Sequence, residues 1–185
     1  MPLIPYPPED KIAPECQAIL DAFQRTYGRP SHIFRLMSHN PRFLIAASET
    51  WDNLVVKPGT LERWVKEAIV VITCSTQQTQ YCVDGHSHAL RRQGLSEEQV
   101  AAIRDHSFSG FAEPELSIFK FTQKAAGAPK SLTAGDYDTL RKAGLSEATI
   151  LEVLGVVWAN TAMNMIVDVL GVTRTSEQQK ELSVL

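Results

Sequence analysis

Residues 60–94 read TLERWVKEAIVVITCSTQQTQYCVDGHSHALRRQG, and no other stretch limits the fold so strongly. Its block at 68–72, AIVVI, is short and β-branched, a composition that suits a buried strand as well as a buried helix. Three features decide for a helix. Thr60 is an N-cap type with Glu62 in the turn behind it, the segment is about 15 residues long, and no partner strand is visible elsewhere. This helix is apolar nearly all round, so it must be covered on every side. The chain therefore has to wrap further elements around it, and hairpin signals are absent. The expected fold class is all-α.

The same stretch gathers a carboxylate, a thiol and an imidazole. A second helix is expected to open near Thr79. On it Cys82 and His86 are four residues apart and share a face. With Thr79 as N-cap, Cys82 falls in the first turn, where the positive end of the helix dipole and a neighbouring imidazolium favour the thiolate. A thiolate is a nucleophile at neutral pH. Glu67 orients the imidazole or relays its proton if the first helix folds back on the second; otherwise it is a solvated first-turn acid. Cys74 lies seven residues beyond Glu67, about 10 Å along the axis. It reads as a buried structural thiol, with a substitute resolving cysteine as the other reading. Asp84 and His88 read as a surface or interface ion pair. Cys82, His86 and Glu67 match no common zinc spacing, so neither a metal nor a cofactor is expected.

The rest of the chain is punctuated into further helices. Residues 1–11 hold four prolines and are expected as an extended arm that frays or lies on a neighbouring subunit, ahead of a single helical domain over 12–185. Ile12, Cys16, Ile19, Leu20 and Phe23 recur at helical spacing until Gly28, with Cys16 as a small buried hydrophobe. A short helix at 31–38, a longer one at 41–56 led by Pro41, and further helices at 96–105, 114–127 and 133–141 follow. The last, 147–170, carries Asn160, Asn164 and Asp168 as one polar stripe that a neighbouring helix, another subunit, or ligand and water must satisfy, packing or a subunit contact being the favoured reading. The tail 173–185 is expected to reach a neighbouring protomer. An internal echo pairs Arg92-Gln-Gly-Leu-Ser-Glu with Lys142-Ala-Gly-Leu-Ser-Glu, each a glycine helix stop followed by a serine N-cap. One such pair fits two similar helical units in one domain.

With 185 residues and a formal net charge of −3, the chain has room for one substantial core and no basic footprint for nucleic acid or an anionic membrane. Three cysteines are an odd count in a chain too large to need disulfide staples, and the proline-rich N-terminus lacks a signal-peptide pattern. No membrane-spanning run is expected. The expected location is cytoplasmic.

Glu67, Thr79-Gln-Tyr-Cys82, His86, Ala89 and Arg92-Gln-Gly94-Leu95-Ser96 together resemble the signature of the alkyl hydroperoxidase D and carboxymuconolactone decarboxylase family, in its peroxidase-related branch. Asn40-Pro41-Arg42 and Asp168-Val-Leu-Gly171-Val extend the likeness over most of the chain. The resemblance implies an AhpD-like helical fold and a homo-oligomer, a trimer or hexamer. It also implies Cys82 as the reactive cysteine, His86 as its proton partner and Glu67 as the second member of the relay. Thr79 stands where the redox members carry the first cysteine of Cys-x-x-Cys, so the internal disulfide is not implied. The expected activity is thiol attack of Cys82 on a hydroperoxide, with an external thiol as reductant. Two alternatives stay open: a cofactor-independent decarboxylase-type enzyme in which His86 and Glu67 move protons on a small organic acid or lactone, and a ligand-binding protein without activity.

Overall fold

The computed structural model describes residues 2–175. Among them are nine α-helices and no strand: α1 Pro14–Tyr27, α2 His32–Met37, α3 Pro41–Trp51, α4 Arg63–Thr76, α5 Gln80–Arg92, α6 Glu97–Arg104, α7 Glu115–Gly127, α8 Ala134–Lys142 and α9 Glu147–Val169. The all-α expectation holds. Helix α4 is the hub, packed by α5, α7 and α9, and residues 68–72 are fully buried. The β-branched block is thus a helix covered on all sides, as an apolar circumference requires.

Several local expectations change. Thr60 does not cap α4, which begins three residues later. The Thr60 hydroxyl instead meets Glu152 of α9, whose carboxylate also accepts the backbone N–H groups of Thr60 at 2.7 Å and Leu61 at 3.3 Å. Glu152 in addition pairs with the buried Lys66 at 2.6 Å. A charged acceptor from another helix has taken over the start of α4. The helix from Pro41 is α-helical to Trp51 and widens into a π-helical turn over Asp52–Val56. The N-terminal arm lies on its own chain: Leu3 N–H donates to the Leu170 carbonyl, and Arg35 and His39 reach the carbonyls of Pro7 and Pro5. Helix α9 is, against expectation, long and apolar enough to cross a bilayer, and part of it is buried against α4 and α7. Of the tail 173–185, residues 176–185 lie outside the described residues.

The internal echo is structural. Gly94 and Gly144 both take a left-handed φ, 92° and 94°, that a side chain disfavours. Ser96 and Ser146 then cap α6 and α9, and Arg91–Glu97 and Arg141–Glu147 make equivalent ion pairs across the two turns.

Candidate active site

The α4–α5 pair builds the site. Gln77 and Gln78 turn the chain, Thr79 N–H donates to the Cys74 carbonyl at 3.0 Å, and α5 runs back along α4. The fold-back places His86 against Glu67, which sit on different helices: His86 Nδ1 and Glu67 Oε2 are 2.7 Å apart, both side chains buried. Glu67 is fully buried, so its solvated reading is excluded. Cys82 and His86, one turn apart on α5, line one pocket with Trp51, Tyr81, Asn160 and Met163 among its walls.

Sequence reasoning missed the groups that hold the carboxylate. Arg63, one turn before Glu67, pairs with Glu67 Oε1 and donates to the Tyr27 hydroxyl at 2.8 Å. Trp51 Nε1 donates to the same hydroxyl at 2.8 Å. The rings of Trp51 and Tyr27 flank His86 at 5.3 and 5.9 Å between centroids. Arg63 was legible as an i, i+4 partner of Glu67. Tyr27 and Trp51 carried no local signal, because α1 and α3 meet the site only in three dimensions.

These contacts set the protonation states. Burial alone would raise the Glu67 carboxyl, but the His86 and Arg63 bonds and charges outweigh it and hold it below the ordinary range. Burial pushes the His86 imidazole down, Glu67 pulls it back in part, and the Arg29 and Arg63 charges lower it further. The consistent state is an ionised Glu67 and a neutral His86. An ionised carboxylate only accepts, so the proton belongs on Nδ1, which leaves Nε2 with its lone pair free as a base. Burial, with a further push from Glu67, raises the Tyr27 phenol, which stays protonated.

Thr79 occupies the N-cap position of α5 but does not cap it; its hydroxyl donates to Asp168 of α9 at 2.9 Å. The rest of the α9 polar stripe is likewise spent on the α4–α5 turn. Asn160 Nδ2 donates to Cys74 Sγ at 3.1 Å, and Asn164 Nδ2 to Gln77 Oε1 at 2.8 Å. Cys74 is therefore not remote from the site. Burial first, then the nearby Cys82 thiol, pushes its pKa well up. His88, expected in a surface or interface ion pair with Asp84, is buried within the chain.

Residues 41–123 match the carboxymuconolactone decarboxylase family. No curated protein sequence matches the chain. Solved structures share the fold along nearly its whole length. An AhpD-core peroxidase-related protein of Ralstonia eutropha JMP134 is similar at 20% identity with a TM-score of 0.87, over 96% of this chain and 94% of that one. A peroxidase-related protein of Silicibacter sp. TM1040 is similar at 17% identity and 0.88, over 98% and 95%. The debrominase Bmp8, in a complex with 2,3,4-tribromopyrrole, is similar at 18% identity and 0.85, over 98% and 95%. The chain thus has the AhpD-like all-α fold, and within it residues 41–123 are similar to the carboxymuconolactone decarboxylase family.

Proposed function

We propose that the protein is a thiol-dependent oxidoreductase in which Cys82 attacks a small hydroperoxide. The observation that supports it is the buried Glu67–His86 bond beside a pocket that His86 lines together with the Cys82 thiol. His86 Nε2 takes the Cys82 proton, and Glu67 steadies the imidazolium that forms. The Cys82 sulfur then attacks one peroxide oxygen, the O–O bond breaks, and the alkoxide leaving group takes the proton back from His86. The products are an alcohol and a Cys82 sulfenic acid, which an external thiol reduces. The pocket has room for about 30 Å³, which fits a peroxide group. Because the same fold hosts a debrominase, an electrophilic halogen is the second electrophile to offer the thiol.

Alkylation of Cys82 measured against pH, by peptide mapping, tests this reading. His86→Ala is expected to slow alkylation at pH 7 by about tenfold or more, and hydrogen peroxide to give a dimedone-trapped sulfenic acid at Cys82 in the Cys16→Ser, Cys74→Ser background. A thiol indifferent to His86 and to peroxide overturns it. The family's proton-transfer chemistry is then favoured, with Cys82→Ser retaining turnover and Glu67→Gln abolishing it. We also propose self-association through the outer face of α9, where Leu151, Trp158, Met165 and Val169 are exposed.

A further inference from the structure

Two arginines crowd the Cys82 pocket with no carboxylate ion-paired to either among the described residues. Arg29, from the turn after α1, and Arg174, beyond α9, both line it. Both guanidinium groups lie against the bare α-carbon of Gly85 on α5, between Cys82 and His86 in sequence. A Cβ there would collide with Arg29 and come within 2.7 Å of Arg174 Nη2. The two like charges are thus side by side. Arg174 stacks 3.8 Å from the Tyr81 ring centroid and donates to the Tyr81 carbonyl, while Arg29 faces the Phe23 and Tyr27 rings. Each keeps a buried N–H without a partner, Nε of Arg29 and Nη2 of Arg174. Asp84, the acid on that side of α5, bonds Gln80 at 2.6 Å and offsets part of the Arg174 charge from a distance. Juxtaposed, part-buried guanidinium groups with open donors are unfavourable until an anion joins them.

We propose that Arg29 and Arg174 bind the carboxylate of a small organic anion and present its electrophilic end to Cys82. The idea rests on Cys82 being the nucleophile, and names the substrate class of that site. The apolar walls, Phe34, Trp51 and Met163 among them, take the carbon body. Iodoacetate and iodoacetamide test this directly, because they differ in charge and share one electrophilic carbon. In the Cys16→Ser, Cys74→Ser background, the iodoacetate-to-iodoacetamide rate ratio at Cys82 should exceed that of N-acetylcysteine by about tenfold or more. Arg29→Gln and Arg174→Gln should each bring the ratio back to the reference, with iodoacetamide still modifying Cys82 and the helical circular-dichroism spectrum of the wild type retained. A wild-type ratio equal to the reference, or one that survives both substitutions, overturns the anion site and leaves Cys82 as nucleophile. If neither reagent modifies Cys82, the nucleophile reading fails instead. Propionate against propionamide then decides the anion site alone: a Tm rise with propionate only, lost in Arg29→Gln, upholds it, and no rise overturns it.

A separate set of contacts concerns the resolving step. The position that lacks a cysteine, Thr79, is tied to Asp168, but its backbone joins two other cysteines: Thr79 N–H donates to the Cys74 carbonyl and Cys82 N–H to the Thr79 carbonyl, each at 3.0 Å. Asn160 holds the Cys74 sulfur and lines the Cys82 pocket. We infer that Cys74, at the end of α4, resolves the Cys82 sulfenic acid. The Cys74 sulfur attacks the Cys82 sulfur, the S–O bond breaks, and the hydroxide takes the Cys74 proton and leaves as water. The external thiol then reduces a Cys74–Cys82 disulfide. This too rests on Cys82 chemistry. One equivalent of hydrogen peroxide should give that disulfide in wild type, and a dimedone adduct at Cys82 should accumulate only in Cys74→Ser. A wild-type adduct equal to that of Cys74→Ser, with no cross-linked peptide, overturns the assignment. If peroxide leaves Cys82 untouched, the peroxidase reading fails. Diamide then probes the thiol pair itself, and a missing Cys74–Cys82 disulfide overturns the pairing.

Discussion

At the scale of single residues, Glu67 is held by three elements at once: Arg63 on its own helix, His86 from α5, and Tyr27 of α1 through Arg63. Removing Arg63 leaves a fully buried carboxylate with one neutral partner, so Arg63→Met should destabilise the fold by about 3–5 kcal/mol, read by urea unfolding. The pH dependence follows from the directions of the shifts. His86 sits below its ordinary 6.5 in the fold, so the unfolded chain binds that proton more tightly. Stability is therefore full above about pH 6.5 and declines as the pH falls below it. Glu67, lowered from 4.5, contributes stability that is present above that value and lost as pH falls through its folded value. The two signs agree. A Tm curve against pH should fall first just below pH 6.5, and His86→Phe should flatten that first segment.

At the scale of elements, α4 begins where another helix lets it begin. Glu152 accepts two backbone N–H groups ahead of α4 and neutralises Lys66, which is buried. Glu152→Ala should cost about 3 kcal/mol, because it leaves the buried Lys66 ammonium with no counter-charge and only the Lys57 carbonyl as partner. Gly59 is tight for the same reason: a Cβ there would run into the Glu152 carboxylate. Thr79 tests the α5 end. Thr79→Val, losing the bond to Asp168, should cost about 1 kcal/mol in denaturant unfolding, whereas Thr79→Ser should retain most of it. In the sequence Thr60 and Thr79 both read as caps, since threonine before an apolar run has that local use. In the fold each hydroxyl turns to an acid of α9 instead, because a charged acceptor across the interface offers the stronger bond.

At the scale of the whole molecule, α9 serves two surfaces. Its inner side carries Asn160 and Asn164 to the α4–α5 turn, while Leu151, Trp158 and Met165 recur every seven residues on the outside. Such a stripe is the seam of helix-to-helix association. Light scattering at micromolar concentration should show an oligomer, and Trp158→Glu should lower its order without altering Cys82 alkylation. A wild-type monomer removes the shared-face argument.

The sequence by itself determined the helical class, the buried hub around residues 68–72, the two Gly-Leu-Ser turns and the Cys82–His86 spacing. All of these are written in local periodicity, in glycine's left-handed freedom and in the four-residue repeat of a helix. Glu67 was legible as a relay acid only on the condition that the first helix folds back on the second, and the resemblance alone ranked that above a solvated acid. Only the tertiary structure decided that it is buried on His86 and that the imidazole keeps a free Nε2. It also decided that Tyr27, Trp51, Arg29 and Arg174 surround the site and that Cys74 belongs beside Cys82. Those facts depend on which faces of α1, α3, α5 and α9 meet, and burial and charge act through space regardless of separation along the chain.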